Sequence, residues 1–172
     1  MKRFHIVGRK SHGKTTLVVQ LVRALAGRGL RVGTIKHTGH LHETDAPGTD
    51  SHQHRCAGAA PAAIVTADLI GIHLPRRQGM SYSDVLAPMF AGCDLVLVEG
   101  DLEGDGHKLE VWRESLGTPC LALTHPDIQA VISDDDPAVH VPVFSRSDLS
   151  GLLHYLETVG HLGKLCASRE GR

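Results

Sequence analysis

The sequence predicts an α/β fold with a mostly parallel sheet flanked by helices and an antiparallel strand extension. Segments typical of strands alternate with segments typical of helices along most of the chain. The stretch 95–98 is entirely apolar, as expected for a parallel strand that is covered on both faces. The segments 62–67 and 69–74 have almost no connector, which is too short for a crossover helix, so they predict an antiparallel pair.

The apolar pattern predicts the individual elements in chain order. Apolar segments predict strands at 2–7, 31–36, 62–67, 69–74, 94–99, 108–112, 120–124, 130–133 and 141–144. Apolar residues at helical spacing predict helices at 14–26, 50–57, 82–90 and 148–159. In the first helix, Leu17, Leu21 and Leu25 share one face, and Gly27 follows as a stop signal. A ligand is expected at the carboxyl ends of the parallel strands.

A glycine-rich loop lies between the first strand and the first helix. Residues 8–15 read G-R-K-S-H-G-K-T, which is the G-x-x-x-x-G-K-T pattern of a loop that wraps nucleotide phosphates. Its two glycines allow backbone conformations that a Cβ would oppose, so that successive N–H groups can converge on a phosphate. The predicted phosphate-binding residues are Gly8, Lys10, Ser11, His12, Gly13, Lys14, Thr15 and Thr16.

The residue types in this loop fit a nucleoside triphosphate with Mg²⁺. Lys14 adds a positive charge, and the hydroxyl of Thr15 is placed to ligate a Mg²⁺ that bridges phosphate oxygens. Thr16 starts a helix whose N-terminal dipole end favours anions. A chance glycine-rich turn is the alternative, but the strand before the loop and the helix after it favour a P-loop NTPase.

A carboxylate follows the most apolar strand. Glu99 ends the segment 94–99 at the edge that is expected to face the phosphates. It is predicted to hold Mg²⁺ together with Thr15, or to orient a water for attack on the γ-phosphate. A carboxylate that only caps a loop is the alternative. The functional interpretation is favoured because an acid at the end of a buried strand is costly without a partner.

The segment 36–59 is rich in histidine. Five of the chain's 13 histidines lie in it. The segment begins where a strand ends and leads into a short helix, so its polar groups could cover the nucleotide as switch loops do. The histidines and acids could also bind zinc or nickel, although they match no fixed metal spacing.

Composition indicates one compact domain and disfavours two classes of partner. The 172 residues suit a single nucleotide-binding domain over 1–160, with a frayed tail over 161–172. The formal net charge of −1, without a lysine- or arginine-rich run, disfavours nucleic acid. The four cysteines are scattered, and neither a leader nor a long apolar segment is present, which predicts a cytoplasmic protein without a membrane partner.

Four segments together carry a family resemblance. They are the loop 8–15, the strand end 97–100 (L-V-E-G), the segment 108–113 (K-L-E-V-W-R), and spaced residues of 35–59 that include I-K-H and, later, A-G-A. Over about residues 2–135 the chain resembles the MobB family, the molybdopterin-guanine dinucleotide biosynthesis adaptor proteins. The lysine–histidine segment is far more specific than the P-loop, which many unrelated families share.

The resemblance implies a dimeric P-loop protein that binds GTP with Mg²⁺ and hydrolyses it weakly. It implies a guanylyltransferase as the partner, which joins GMP to molybdopterin, and a molybdopterin-type ligand. Glu99 and Gly100 match the family's strand-end acid and its turn. Lys36 and His37 match the family's loop and are expected near the phosphates, and Asp50 is expected near the metal or the attacking water.

The chain departs from the family pattern at sites that concern charge and base choice. Thr49 stands where lysine is common. Asp101 and Leu102 follow Gly100 where an aromatic residue and lysine are usual, so positive charge is lost near the expected anion site. The chain also has no N-K-x-D element to read guanine. Asp127 is a distant stand-in that could accept the guanine N1 and N2 hydrogens.

Two other functions stay open from the residues alone. One is a P-loop phosphotransferase or ligase that acts on a small molecule, of the dethiobiotin synthetase kind. The other is a metallochaperone GTPase for nickel enzymes, which only the histidine-rich segment supports. No arginine finger can be identified from sequence, and Arg113 and Arg55 are candidates that could act across a dimer.

Overall fold

The computed structural model describes residues 2–41 and 43–161. In chain order the elements are β1 (Arg3–Val7), α1 (Lys14–Gly27), β2 (Val32–Lys36), α2 (Asp50–Cys56), β3 (Ala62–Val65), β4 (Ile70–His73), α3 (Tyr82–Phe90), β5 (Leu95–Glu99), β6 (His107–Val111), β7 (Ile128–Ile132), β8 (Val143–Phe144) and α4 (Leu149–Val159). The predicted α/β fold class is confirmed. Apart from His161, the predicted frayed tail lies outside the described residues.

The described chain divides into two compact units. The first contains residues 2–38 and 89–161, and the second is Gly39–Pro88. The expectation of a single domain over 1–160 stays a prediction. Within the part of the chain that the structure describes, no helix is long and apolar enough to cross a membrane.

A parallel sheet of six strands forms the first unit. Its strand order is β2-β5-β1-β6-β7-β8, and every neighbouring pair runs parallel. All five residues of β5 are buried, as the apolar stretch predicts. In the register, Ile6 lies beside Glu99 of β5 and Leu109 of β6. The carboxyl ends of the central strands therefore meet at one edge, where the glycine-rich loop begins.

Helix α1 packs on this sheet through one apolar face. Leu17, Leu21 and Leu25 recur at helical spacing and are buried against β1, β2 and β5. Leu152 and Leu156 of α4 join the same core. Burying each such leucine contributes about 1.5–3 kcal/mol, so packing holds the helix start against the sheet edge.

The second unit contains α2 and an antiparallel pair. Strands β3 and β4 pair with Ala62 opposite His73 and Val65 opposite Ile70, which confirms the predicted strand extension. Helix α2 begins after Thr49, whose hydroxyl accepts the N–H of His52.

The strand predicted over 120–124 is wrong, because the segment forms a 3₁₀ turn over Leu121–Leu123. The side chain of Glu110, which is 1% exposed, explains the difference. Its carboxylate accepts the backbone N–H groups of Leu121 and Ala122, both at 2.8 Å, and the Cys120 thiol at 3.0 Å. These N–H groups are then not available for a sheet ladder. Burial and this carboxylate raise the pKa of Cys120 to about 12.

Candidate functional site

The glycine-rich loop connects β1 to α1 and needs its two glycines for space as well as conformation. Gly8 has φ of 132°, and a Cβ there would lie 2.5 Å from the carbonyl oxygen of Val111. Gly13 has φ of 99°, and a Cβ there would lie 2.8 Å from Nη2 of Arg146. Gly13 is also the N-cap of α1, and it has no side chain that could accept the first N–H groups of the helix. These N–H groups are therefore suited to an anion.

Lys14 folds back over the loop. Its Nζ donates to the carbonyl oxygen of Arg9 at 2.7 Å. Burial lowers the pKa of this lysine, and the neighbouring charge of Lys36 lowers it further. A phosphate would offer the ammonium group a stronger acceptor than a carbonyl oxygen, since charge-assisted hydrogen bonds are the stronger kind.

Two of the predicted residues converge on the carboxylate of a third, Glu99. The hydroxyl of Thr15 donates to Oε1 of Glu99 at 2.8 Å, and Nζ of Lys36 bonds the same oxygen. Strand pairing explains this contact, because Lys36 lies beside Glu99 across β2 and β5. Glu99 is 6% exposed, so its charge is paired as a buried carboxylate requires.

This arrangement fits Mg²⁺ bound with phosphates. A hydroxyl and a carboxylate, as in Thr15 and Glu99, are oxygen ligands of the kind that Mg²⁺ prefers. A Mg²⁺ bound with phosphates usually takes only one or two ligands from the protein.

Among the described residues no group of three or more histidine, cysteine or acidic side chains could hold a metal ion. The zinc or nickel site considered for the histidine-rich segment therefore gains no support from these residues.

The converging residues line a cavity of about 370 Å³. Its lining consists of Lys10, Ser11, Gly13, Lys14, Thr15, Thr16, Lys36 and Glu99. Three lysines and one glutamate leave the cavity electropositive, which suits a polyphosphate. All eight lining residues are among those predicted from the sequence.

Two predicted residues hold this edge of the sheet together through the backbone. The N–H of His37 donates to the carbonyl oxygen of Glu99 at 2.9 Å, and the N–H of Gly100 donates to that of Ile6 at 2.9 Å. Gly100 has φ of 90°, and a Cβ there would lie 2.8 Å from the carbonyl oxygen of His37. Glycine is therefore required where the chain turns past His37.

His12 anchors the loop instead of facing the cavity. Its side chain is buried, and Nδ1 accepts the backbone N–H of Arg113 at 2.9 Å. Nε2 therefore carries the proton of the neutral ring and donates to the hydroxyl of Thr118 at 3.0 Å. Burial lowers the pKa of His12, which keeps this neutral form. The predicted binding residue thus positions the loop through its neighbours.

Two further expectations have different outcomes. Asp50 is exposed in the first turn of α2 in the second unit, and its role near the metal or the water stays a prediction. The suggestion that Asp127 could serve as a distant stand-in for a guanine-reading residue is wrong. It precedes β7 and pairs with Nζ of Lys108 at 2.5 Å, at the amino ends of the strands and thus at the opposite edge from the loop.

Sequence reasoning missed Arg146 and named Arg113 only as a candidate that could act across a dimer, which stays a prediction. Nη1 of Arg146 donates to the carbonyl oxygen of His12 at 3.0 Å. A Cβ on Gly13 would lie 3.2 Å from Nη2 of Arg113, so both guanidinium groups reach the glycine-rich loop of their own chain. Arg146 follows a strand of two residues, Val143–Phe144, and no local pattern indicates its position.

Comparisons with known proteins identify the family of this chain. The family model described as "Molybdopterin guanine dinucleotide synthesis protein B" matches residues 4–134. The molybdopterin-guanine dinucleotide biosynthesis adapter protein of Escherichia coli (strain K12) is 32% identical, over 84% of this chain and 85% of that protein. The protein of the same name from Haemophilus influenzae is 33% identical, over 66% of this chain and 65% of that protein.

A solved structure shows the same fold. The crystal structure of a MobB protein homolog from Bacillus stearothermophilus has a TM-score of 0.68 and 30% identity, and the match covers 95% of this chain and all of that one. The family model spans well over half of the chain, and it includes the glycine-rich loop, Lys36 and Glu99. This chain belongs to the MobB family, the family of molybdopterin guanine dinucleotide synthesis protein B.

Proposed function

We propose that this protein is a GTP-binding adapter in the biosynthesis of molybdopterin guanine dinucleotide. In this role it assists the guanylyltransferase that joins GMP to molybdopterin. The observation that carries the proposal is the convergence of Thr15 and Lys36 on Glu99 beside a glycine-rich loop, in a chain of this family. Relatives that match most of this chain are named adapter proteins of the same biosynthesis.

Each residue of the cavity has a distinct task in binding. The N–H groups of the loop and of the first turn of α1 bind phosphate oxygens. Lys14 and Lys36 neutralise the polyphosphate charge. Thr15 and Glu99 would hold Mg²⁺, which supplies charge neutralisation between phosphate oxygens when it is bound.

Hydrolysis is weak in this proposal. Glu99 is the candidate to orient the attacking water, with Asp50 as its helper near the metal or the water. Glu99, however, already accepts the Thr15 hydroxyl and the Lys36 ammonium group on one oxygen. That oxygen therefore has less acceptor capacity left to orient an attacking water.

The adapter role implies an assembly. We propose a homodimer that works in the cytoplasm and presents the nucleotide, or a molybdopterin-type ligand, to the guanylyltransferase. Light scattering of the purified chain, alone and mixed with that enzyme, measures both assemblies. A monomer that never joins the enzyme would contradict the adapter role.

Calorimetric titration tests the nucleotide directly. Non-hydrolysable GTP and ATP analogues are titrated into the chain, each with and without Mg²⁺. Tighter binding of the GTP analogue that depends on Mg²⁺ is the expected result. Equal binding, or a preference for the ATP analogue, would contradict a GTP adapter.

A further inference from the structure

A second polar cavity lies beside the phosphate loop in the first unit. It has a volume of about 340 Å³ and is lined by Arg113, Ser115, Asp134, Asp135 and Arg146. These residues, here called the arginine–aspartate cavity, follow the carboxyl ends of β6, β7 and β8. Because β6 is the neighbour of β1, the cavity opens at the same edge of the sheet as the loop.

The two arginines join this cavity to the loop. A Cβ on Gly13 would lie 2.8 Å from Nη2 of Arg146 and 3.2 Å from Nη2 of Arg113. On the other side of the loop, the sheet edge at β5 and β2 is taken by the contact between Glu99 and Lys36. If the phosphates of a nucleotide lie in the loop, the polar cavity that is open to its base therefore lies on the β6–β8 side of the loop.

The charges of the arginine–aspartate cavity balance. Two guanidinium groups face two carboxylates, and Nε of Arg146 lies 3.9 Å from Oδ2 of Asp134. Burial lowers the pKa of Arg146, and the charge of Arg113 adds to this effect. A polar cavity without net charge suits an uncharged ligand with both donors and acceptors better than it suits a free anion.

Arg113 has donor capacity that its neighbours do not use. Its Nε is buried and has no hydrogen-bond partner among residues 2–41 and 43–161. A buried unsatisfied N–H group in a native structure calls for an explanation, and a bound acceptor near the guanidinium group is one.

We propose that the arginine–aspartate cavity binds the base of the nucleotide and selects guanine. The proposal rests on the proposed function, because the phosphates must lie in the glycine-rich loop. Guanine has N–H donors at N1 and N2, which a carboxylate accepts, and acceptors at O6 and N7, which a guanidinium group satisfies. Adenine would instead bring the N1 lone pair towards a carboxylate, so it is disfavoured.

Of the two aspartates in the cavity, Asp135 is the one that reads the base. Oδ1 of Asp134 already accepts the Ser145 hydroxyl at 2.7 Å and the backbone N–H of Arg146 at 2.9 Å. These bonds commit Asp134 to holding the turn after β8. The carboxylate of Asp135 takes one backbone donor, the N–H of Glu114 at 2.9 Å on Oδ2. Asp135 therefore keeps more acceptor capacity for a base.

The test compares guanine with xanthine, which carries a carbonyl oxygen where guanine has the N2 amino group. Asp135→Asn offers an amide N–H₂ group in place of a carboxylate oxygen. Affinities of non-hydrolysable GTP, XTP and ATP analogues are measured with Mg²⁺ for the original chain and the variant. We expect the variant to bind the GTP analogue about tenfold or more weakly and the XTP analogue more tightly.

Two controls separate base reading from folding. Inorganic tripolyphosphate has no base, so its affinity should not change in Asp135→Asn if the loop is intact. Asp136→Asn removes the neighbouring charge outside the cavity lining and should leave the GTP to XTP ratio unchanged. Asp134→Asn is the second variant of the lining, and it is measured in the same way.

The outcomes distinguish this proposal from the proposed function. Binding of GTP with an unchanged GTP to XTP ratio in both Asp135→Asn and Asp134→Asn would overturn base reading and leave GTP binding intact. If the original chain bound neither GTP nor tripolyphosphate, the proposed function would fail together with this proposal. A reversed ratio in Asp135→Asn with unchanged tripolyphosphate affinity would support it.

Discussion

The two units of this protein differ in where their apolar side chains lie. In the first unit, Leu97 and its neighbours in β5 are fully buried between helices and strands. In the second unit, Val65 and Ile70 of the strand pair and Leu69 in the turn between them are each about 70% exposed. Ion pairs there include Arg55 with Glu43 at 2.6 Å. The cavity proposed for phosphate is therefore built on the unit that has a core, and precise positions need packed elements.

The first prediction compares the packing of the two units, and we expect the largest effect here. Leu97→Ala should lower the free energy of unfolding by about 2–5 kcal/mol, because it removes buried methyl groups and leaves a cavity. Ile70→Ala in the second unit should change it by no more than about 0.5 kcal/mol, because that side chain is already in water. Urea unfolding measures both values. Equal losses would mean that the strand pair is packed in solution.

The second prediction concerns binding by the first unit. Lys14→Ala should weaken binding of a triphosphate analogue about 100-fold or more, because the loop loses its mobile cation, while the fold remains intact. Arg23→Ala is the matched control, since it removes one exposed positive charge from the same helix. Calorimetry measures the affinity and thermal unfolding checks the fold. Undiminished affinity in Lys14→Ala would contradict the phosphate site.

The third prediction compares the contributions of Glu99 in the first unit and Asp50 in the second unit to Mg²⁺ binding and hydrolysis. Glu99→Gln should weaken the Mg²⁺ dependence of binding or slow hydrolysis about tenfold, with little loss of stability. Asp50→Asn in the second unit should slow hydrolysis and leave triphosphate affinity unchanged. Asp94→Asn, at the other end of β5, is the control for Glu99. Single-turnover hydrolysis and Mg²⁺ titration measure these effects, and unchanged values in Glu99→Gln would refute its role.

The smallest expected effect compares an ion pair in each unit across pH. The side-chain hydrogen bond from Lys108, whose own side chain is buried, lowers the pKa of Asp127. A lowered folded-state pKa adds stability above the ordinary value and loses it as pH falls through the folded value. Asp127→Asn should therefore be less stable than the original chain at pH 7, and the difference should shrink below about pH 4.

Glu43 supplies the comparison in the second unit. The backbone N–H of Asp45 lowers the pKa of Glu43, and the charge of Arg55 adds to this. The pair is exposed to water, so Glu43→Gln should leave the unfolding midpoint nearly unchanged at both pH values. A larger pH-dependent loss in Glu43→Gln than in Asp127→Asn would reverse the expected ranking.

The sequence predicted the fold class and most of the strands and helices, and the eight residues that line the loop cavity are all among the predicted site residues. The strand 95–98 is apolar throughout, and its short length and its valines identify it as a buried strand. The failure at 120–124 has a specific cause. Leu121 and Ala122 look like strand residues, but the buried carboxylate of Glu110 takes their N–H groups, and Glu110 is ten or more positions away in sequence.

A local sequence pattern is sufficient to predict the residues that we propose to bind phosphate. The pattern includes Gly8, Gly13, Lys14 and Thr15. These residues are close together in the chain, so a short sequence motif is enough to predict their arrangement. The distant residues that lie beside this loop could not be predicted in this way and are known from the tertiary structure. Arg146 reaches the loop, and Asp127 lies at the opposite edge, because of the strand order β2-β5-β1-β6-β7-β8. Strand order depends on how packed elements share one core, and no local pattern records it.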